Sequence, residues 1–181
     1  MGQTRFYPVF ESEDLDAAYA AAKRLLALSD TDEVLTTLWA EAPDKSELDK
    51  LSDVLARPDA PVTISQQDNG GHRPGWWTFE ASSRSDQSIE VPFLQEAEHL
   101  IASVGWEVAW PEVPELDLCR RCDHSEVQLM LNCSGIYMEQ PAAGHLVYVH
   151  VKWSDAEDDR RAEWLATQAG LQILGPGEIG W

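Results

Sequence analysis

Long apolar runs are missing from this chain. No stretch approaches the roughly 18 to 20 residues that a bilayer-spanning helix needs. The opening Met1-Gly2-Gln3-Thr4-Arg5-Phe6 lacks a charged region followed by an apolar segment, so secretion by that route is not expected. Phe6 also stands where a myristoylation signal requires Ser or Thr, so that anchor is not expected. Cysteine is scarce: three residues, an odd number at low density, do not form the disulfide framework of a small secreted domain. A reducing cytoplasm is the expected compartment. Glycine is not grouped for phosphate binding either. Gly70-Gly71 lies in a polar stretch and Gly175-Pro176-Gly177 near the end, and neither has the spacing of a P-loop or a dinucleotide fingerprint. Nucleotide-dependent enzymes lose support accordingly.

Basic residues are the remaining shortage. Thirteen Lys and Arg, only four of them Lys, face 32 Asp and Glu, giving a formal charge of -19. The imbalance is not a tail: residues 1–60 carry 13 acids against 6 bases, residues 61–125 carry 11 against 4, and residues 126–181 carry 8 against 3. A surface acidic throughout repels phosphate backbones and anionic lipid, so neither nucleic acid nor membrane is an expected partner. It attracts basic protein surfaces and speeds encounter with them. Solubility or adaptation to salt explains the same charge without a partner.

Apolar residues at 44% and charged residues at 25% are ordinary for a globular chain, and 181 residues suit one α+β domain covering 1–181. Within it, residues 1–60 suggest a helical subregion. Arg5 to Phe10 reads as a short strand, and Ser12 is placed to cap a helix carrying Leu15, Ala18, Tyr19, Ala22, Leu25 and Leu26 on one face. Asp30 is read as opening a helix with Val34, Leu35, Leu38 and Trp39, and Asp44 with Glu47 as opening another with Leu48, Leu51, Val54 and Leu55. The N-terminal third is thus expected to be mostly helical. From Pro61 the pattern turns to short β-type runs, and a mainly antiparallel or mixed sheet with helices packed on it is expected.

Val127 to Leu131 and Ile136 to Met138 flank a hairpin-like Asn132-Cys133-Ser134-Gly135. Leu146 to Val151 reads as an interior strand. Two segments, 97–108 and 162–173, echo one another as helix, glycine, strand, with Gly105 and Gly170 as helix ends and Ser154 with Glu157 as a capping box.

Cys119-Arg120-Arg121-Cys122-Asp123-His124, with Cys133 downstream, contains the four soft ligands of a zinc site. A strand from Val127 to Leu131 would carry Cys133 roughly 20 Å from Cys122, so neither a metal nor any other cofactor is assigned. The adjacent arginines would favour a thiolate, but the strand and helix context of a redox pair is missing. Among His72, His99, His124, His145 and His150, none has a persuasive partner for acid-base or nucleophilic work. No catalytic residue is assigned.

Eight tryptophans are many for this length. Trp76-Trp77 points to both faces of any strand it occupies and follows the polar Gln66–His72 segment, so the candidate binding residues are Trp76, Trp77, His72 and Asp68. Acidity with aromatic anchors leads to the expectation of a cytoplasmic protein that neutralises or regulates a basic partner, for instance a toxin. This character resembles the acidic immunity proteins of bacterial toxin systems, an analogy of type that rests on no shared motif. The rival classes are an enzyme or zinc-binding protein using the Cys119–His124 loop, and a non-catalytic accessory subunit.

Overall fold

The computed structural model describes residues 3–31, 33–56, 60–68, 73–84, 89–153 and 159–180. Its strands are β1 (Gln3–Ser12), β2 (Leu35–Ala42), β3 (Val62–Gln66), β4 (Trp77–Ser83), β5 (Ile101–Glu107), β6 (Glu126–Cys133), β7 (Pro141–Trp153) and β8 (Glu178–Gly180). Its helices are α1 (Leu15–Leu26), α2 (Lys45–Val54), α3 (Glu90–Ala97) and α4 (Arg160–Gln168). The strands form one sheet in the order β3-β4-β2-β5-β6-β7-β1-β8, and every neighbouring pair is antiparallel.

All four helices pack on one face. Leu38 and Ala40 of β2, Phe79 of β4, Val104 and Trp106 of β5, Leu129 of β6 and Val147 and Val149 of β7 meet the apolar sides of the helices. Those sides are built at helical spacing: Ala18, Ala21, Ala22 and Leu25 of α1, Leu48 and Leu51 of α2, Phe93 and Ala97 of α3, Ala162 and Leu165 of α4. Each large aliphatic side chain buried there contributes about 1.5–3 kcal/mol. The opposite face carries only a small cluster of Phe6, Ile101, Met130, Cys133, Ile136 and Tyr148. Among the described residues no helix packs over most of that face.

The N-terminal third is not mostly helical: it runs strand, helix, strand, helix. The segment read as a helix opened by Asp30 is β2. Val34, Leu35, Leu38 and Trp39 imitate helical spacing because β2 carries apolar side chains on both faces: Leu38 and Ala40 enter the main core, whereas Trp39 lies half-buried on the other face. Apolar residues on both faces hide the two-residue period, and β-branched Thr36 and Thr37 are the local signal that favours a strand. The same masking misplaces 97–104. α3 ends at Ala97, Ile101 to Trp106 are all buried in β5, and Gly105 is a strand residue rather than a helix end. In the second segment the cap is real. Gly170 (φ +66°) closes α4, with its N–H on Thr167 O at 3.0 Å and the Leu171 N–H on Ala166 O at 2.8 Å.

Smaller corrections follow the same logic. Asp14, not Ser12, caps α1, accepting from the N–H groups of Asp16 (2.9 Å) and Ala17 (3.2 Å), while Ser12 Oγ accepts from Asp14 N–H. Ile136 to Met138 lie in the β6–β7 connection rather than in a strand. β7 is interior, paired to β6 and β1. The predicted Ser154–Glu157 capping box lies outside the described residues. Among the described residues no helix is long and apolar enough to cross a membrane.

His145 of β7 sits opposite Ser12 and Leu131 and is only 4% exposed. Burial lowers its pKa from the ordinary 6.5, against the opposing pull of Glu98 and Asp14. The unfolded chain therefore takes up the proton first as pH falls, and stability present above pH 6.5 is lost as pH drops toward the folded value. We expect denaturant titrations to show this slope, at most about 1.4 kcal/mol per pH unit from one group, and His145→Phe to remove it. Identical pH profiles for the two proteins would refute the assignment.

Candidate functional site

On the helix-free face, strand register arranges side chains in rows. One row runs Leu35, Glu107, Glu126, His150, Phe6 across β2, β5, β6, β7 and β1. The next runs Ser82, Thr37, Gly105, Gln128, Tyr148, and a third Thr63, Glu80, Trp39, Ser103, Met130, Leu146. Two adjoining recesses share Gln128. The first, about 480 Å³, is walled by Glu107, Asp123, His124, Glu126 and His150. The second, about 520 Å³, is walled by Thr37, Trp39, Glu80, Ser103 and Met138. Among the described residues lining either one there are carboxylates and no Lys or Arg.

Gly105 shapes the floor. A Cβ there would collide with Glu126 Oε1 and lie 2.6 Å from Thr37 Oγ1, so the absent side chain is what lets the Glu126 carboxylate lie down on β5. Its other oxygen stands 3.1 Å from Nδ1 of His150. The His150 ring packs edge-on to Phe6 at 4.2 Å between centroids, and its backbone oxygen accepts from the buried Trp110 indole at 2.8 Å. This imidazole is fixed from three sides.

The loop preceding β6 forms the rim. Arg161 of α4, 1% exposed, donates to the backbone oxygens of Pro111 (3.0 Å) and Cys119 (2.6 Å). The Arg120 guanidinium donates to the carboxylate and to the backbone oxygen of Asp30, both at 2.7 Å, and reaches Cys122 Sγ at 3.0 Å. Asp123 pairs with Lys152, whose hydrogen bond holds the carboxyl below its usual range. His124 adopts φ +54°, an unfavourable conformation for a residue with a Cβ, and its Nδ1 meets the Thr4 hydroxyl. These ties clamp the loop onto β1 and β7.

The zinc reading finds no assembled ligand set. Among the described residues no three His, Cys, Asp or Glu side chains stand close enough to hold a metal ion. Cys119 and Cys122 are exposed in the loop, whereas Cys133 is buried at the far end of β6, its thiol pushed up to about 11 by burial. A thiol reagent should therefore titrate two fast thiols in the native protein and the third only on unfolding. Three equally fast thiols would contradict this burial.

The tryptophan pair divides as its spacing requires. Trp77 turns to the main core, with Lys45 Nζ 5.9 Å from its ring centroid, and Trp76 joins the small cluster beside Trp39 under the Arg73 guanidinium at 5.2 Å. Arg73 in turn pairs with buried Glu41 of β2. Trp76 is thus an anchored residue at the edge of the open face, Trp77 belongs to the helix side, and Asp68 is exposed nearby in sequence. His72 lies outside the described residues. Sequence reasoning missed Gly105, Glu107, Glu126 and Gln128, because only cross-strand register brings them together. No protein-family model, curated protein or solved structure matches the chain.

Proposed function

We propose that this chain is an acidic binding protein that captures a basic protein on the open face of its sheet and acts by occupying that partner's anion-binding surface, in the manner of an immunity protein against a toxin. The observation that carries this reading is the pair of adjoining recesses bearing Glu80, Glu107, Asp123 and Glu126, with no Lys or Arg among their described lining residues. Within a monomer such a face is self-repelling; against a basic surface the same charges attract and orient. Trp39, which walls the second recess, and Trp76 at the margin supply aromatic rings, which contribute most to affinity where they are desolvated at the centre of an interface. The opposite face is closed by four helices.

The test is reconstitution. A partner cross-linked in the native host, identified and purified, should form a stoichiometric complex with this protein. Reversing two open-face charges, Glu80→Lys with Glu107→Lys, should weaken that complex strongly. Glu96→Lys on α3, with the same charge change on the helix side, should have little effect. An acidic partner, or a complex indifferent to the open-face reversals, would overturn the proposal.

A further inference from the structure

Glu107 stands opposite Glu126, and Glu126 opposite His150, so three ionisable side chains line up across β5, β6 and β7. Carboxylates directly opposite on neighbouring strands repel. Among the described lining residues no cation offsets them, and Glu126 is displaced toward Gly105 and His150. His150 Nδ1 faces Glu126 Oε2 at 3.1 Å, and a neutral imidazole that donates from Nδ1 to a carboxylate keeps Nε2 as an acceptor. His150 is 5% exposed and lines the recess, and its Nε2 has no partner.

Several donors around this recess are already engaged. Thr4 and His124 bond one another, Lys152 bonds Asp123, and the Ser125 hydroxyl bonds the Asp123 carbonyl at 3.2 Å. Two carboxylates, Glu107 and Glu126, dominate the lining, with the Gln128 amide beside them and the unpartnered Nε2 of His150 buried in the wall. Such a surface is matched by a group that only donates. A guanidinium has five N–H donors in a planar fork, no acceptor and a permanent charge, and it spans two carboxylates where an ammonium meets them as a point.

We propose that this recess receives an arginine side chain of the basic partner, its guanidinium held between Glu107 and Glu126 with a further N–H turned to His150. The assignment rests on the binding function proposed above and narrows it to one anchoring residue type.

The full chain is titrated with N-acetyl-arginine methylamide, and in parallel with the lysine analogue, while amide and histidine side-chain nitrogen resonances are followed by NMR. Saturable shifts should centre on Gly105, Glu126 and the His150 Nε2 signal, with the arginine probe binding about tenfold tighter. Glu107→Gln and Glu126→Gln should each weaken it about tenfold or more, and Glu96→Gln should not. Gly105→Ala provides a variant with no charge change: its methyl group displaces the Glu126 carboxylate, and the same loss is expected with the remaining amide spectrum intact. Absence of saturable shifts in this recess, equal binding of the lysine probe, or indifference to the Glu107 and Glu126 variants would overturn the arginine site. If the probe fails while a basic partner still binds in a manner sensitive to Glu80→Lys, the site is wrong and the function stands. If the probe binds as described and the purified partner is acidic, the function is wrong and the recess stands.

Discussion

Arg73→Ala is expected to lower the unfolding free energy by about 3–5 kcal/mol, the cost of stranding a buried charge. Glu41 and Arg73 are 4% and 11% exposed at the side chain and form a direct ion pair. Arg73 also donates to the backbone oxygens of Met138 and Glu139 and covers Trp76, joining the approach to β4 to the β6–β7 connection. Without it, the amide of Gln67 is the side-chain donor left to the Glu41 carboxylate among the described residues. The size of the effect comes from the partner left behind, so the paired replacement Arg73→Met with Glu41→Leu should cost much less than Arg73→Ala alone. Urea unfolding followed by tryptophan fluorescence measures both. A single-variant cost under about 1 kcal/mol would mean that solvent screens this pair as it screens a surface one.

The second large effect concerns association with the basic partner that we propose. The association rate constant should fall about tenfold or more as salt rises from low to physiological strength, while the dissociation rate changes far less. Charges spread over all three thirds of the chain act through a field that ions screen over about 10 Å at 0.1 M, and such a field governs encounter rather than residence. Contact residues should behave oppositely. Trp76→Ala should chiefly speed dissociation, by about 2 kcal/mol if the ring is a central anchor, in a protein whose circular dichroism is unchanged. Rapid-mixing kinetics separates the two. An association rate indifferent to salt would leave the acidity as a solubility feature.

Both results depend on relationships of different range in the sequence. The sequence by itself determined the charge and its even spread, because composition survives any fold. It determined α1, α2 and α4, whose apolar residues recur on one side at helical spacing, although, among the described residues read as helix caps, only Asp44 hydrogen-bonds the helix it was expected to open. It also determined that β7 is interior, since both of its side-chain sets are suited to burial.

The tertiary structure decided the rest. β2 and β5 carry buried or half-buried apolar side chains on both faces, which erases the alternation that marks a strand and leaves spacing that reads as helix. The open face was illegible for a related reason. Glu107 and Glu126 are 19 positions apart, and Glu126 and His150 are 24 apart, yet register sets them side by side. Gly105 reads locally as a helix stop, and its role in admitting a carboxylate from β6 exists only once that strand is paired to β5. Periodicity and capping act within a few residues of chain, whereas a row of side chains across a sheet is fixed by hydrogen-bond register between segments that the sequence does not place together.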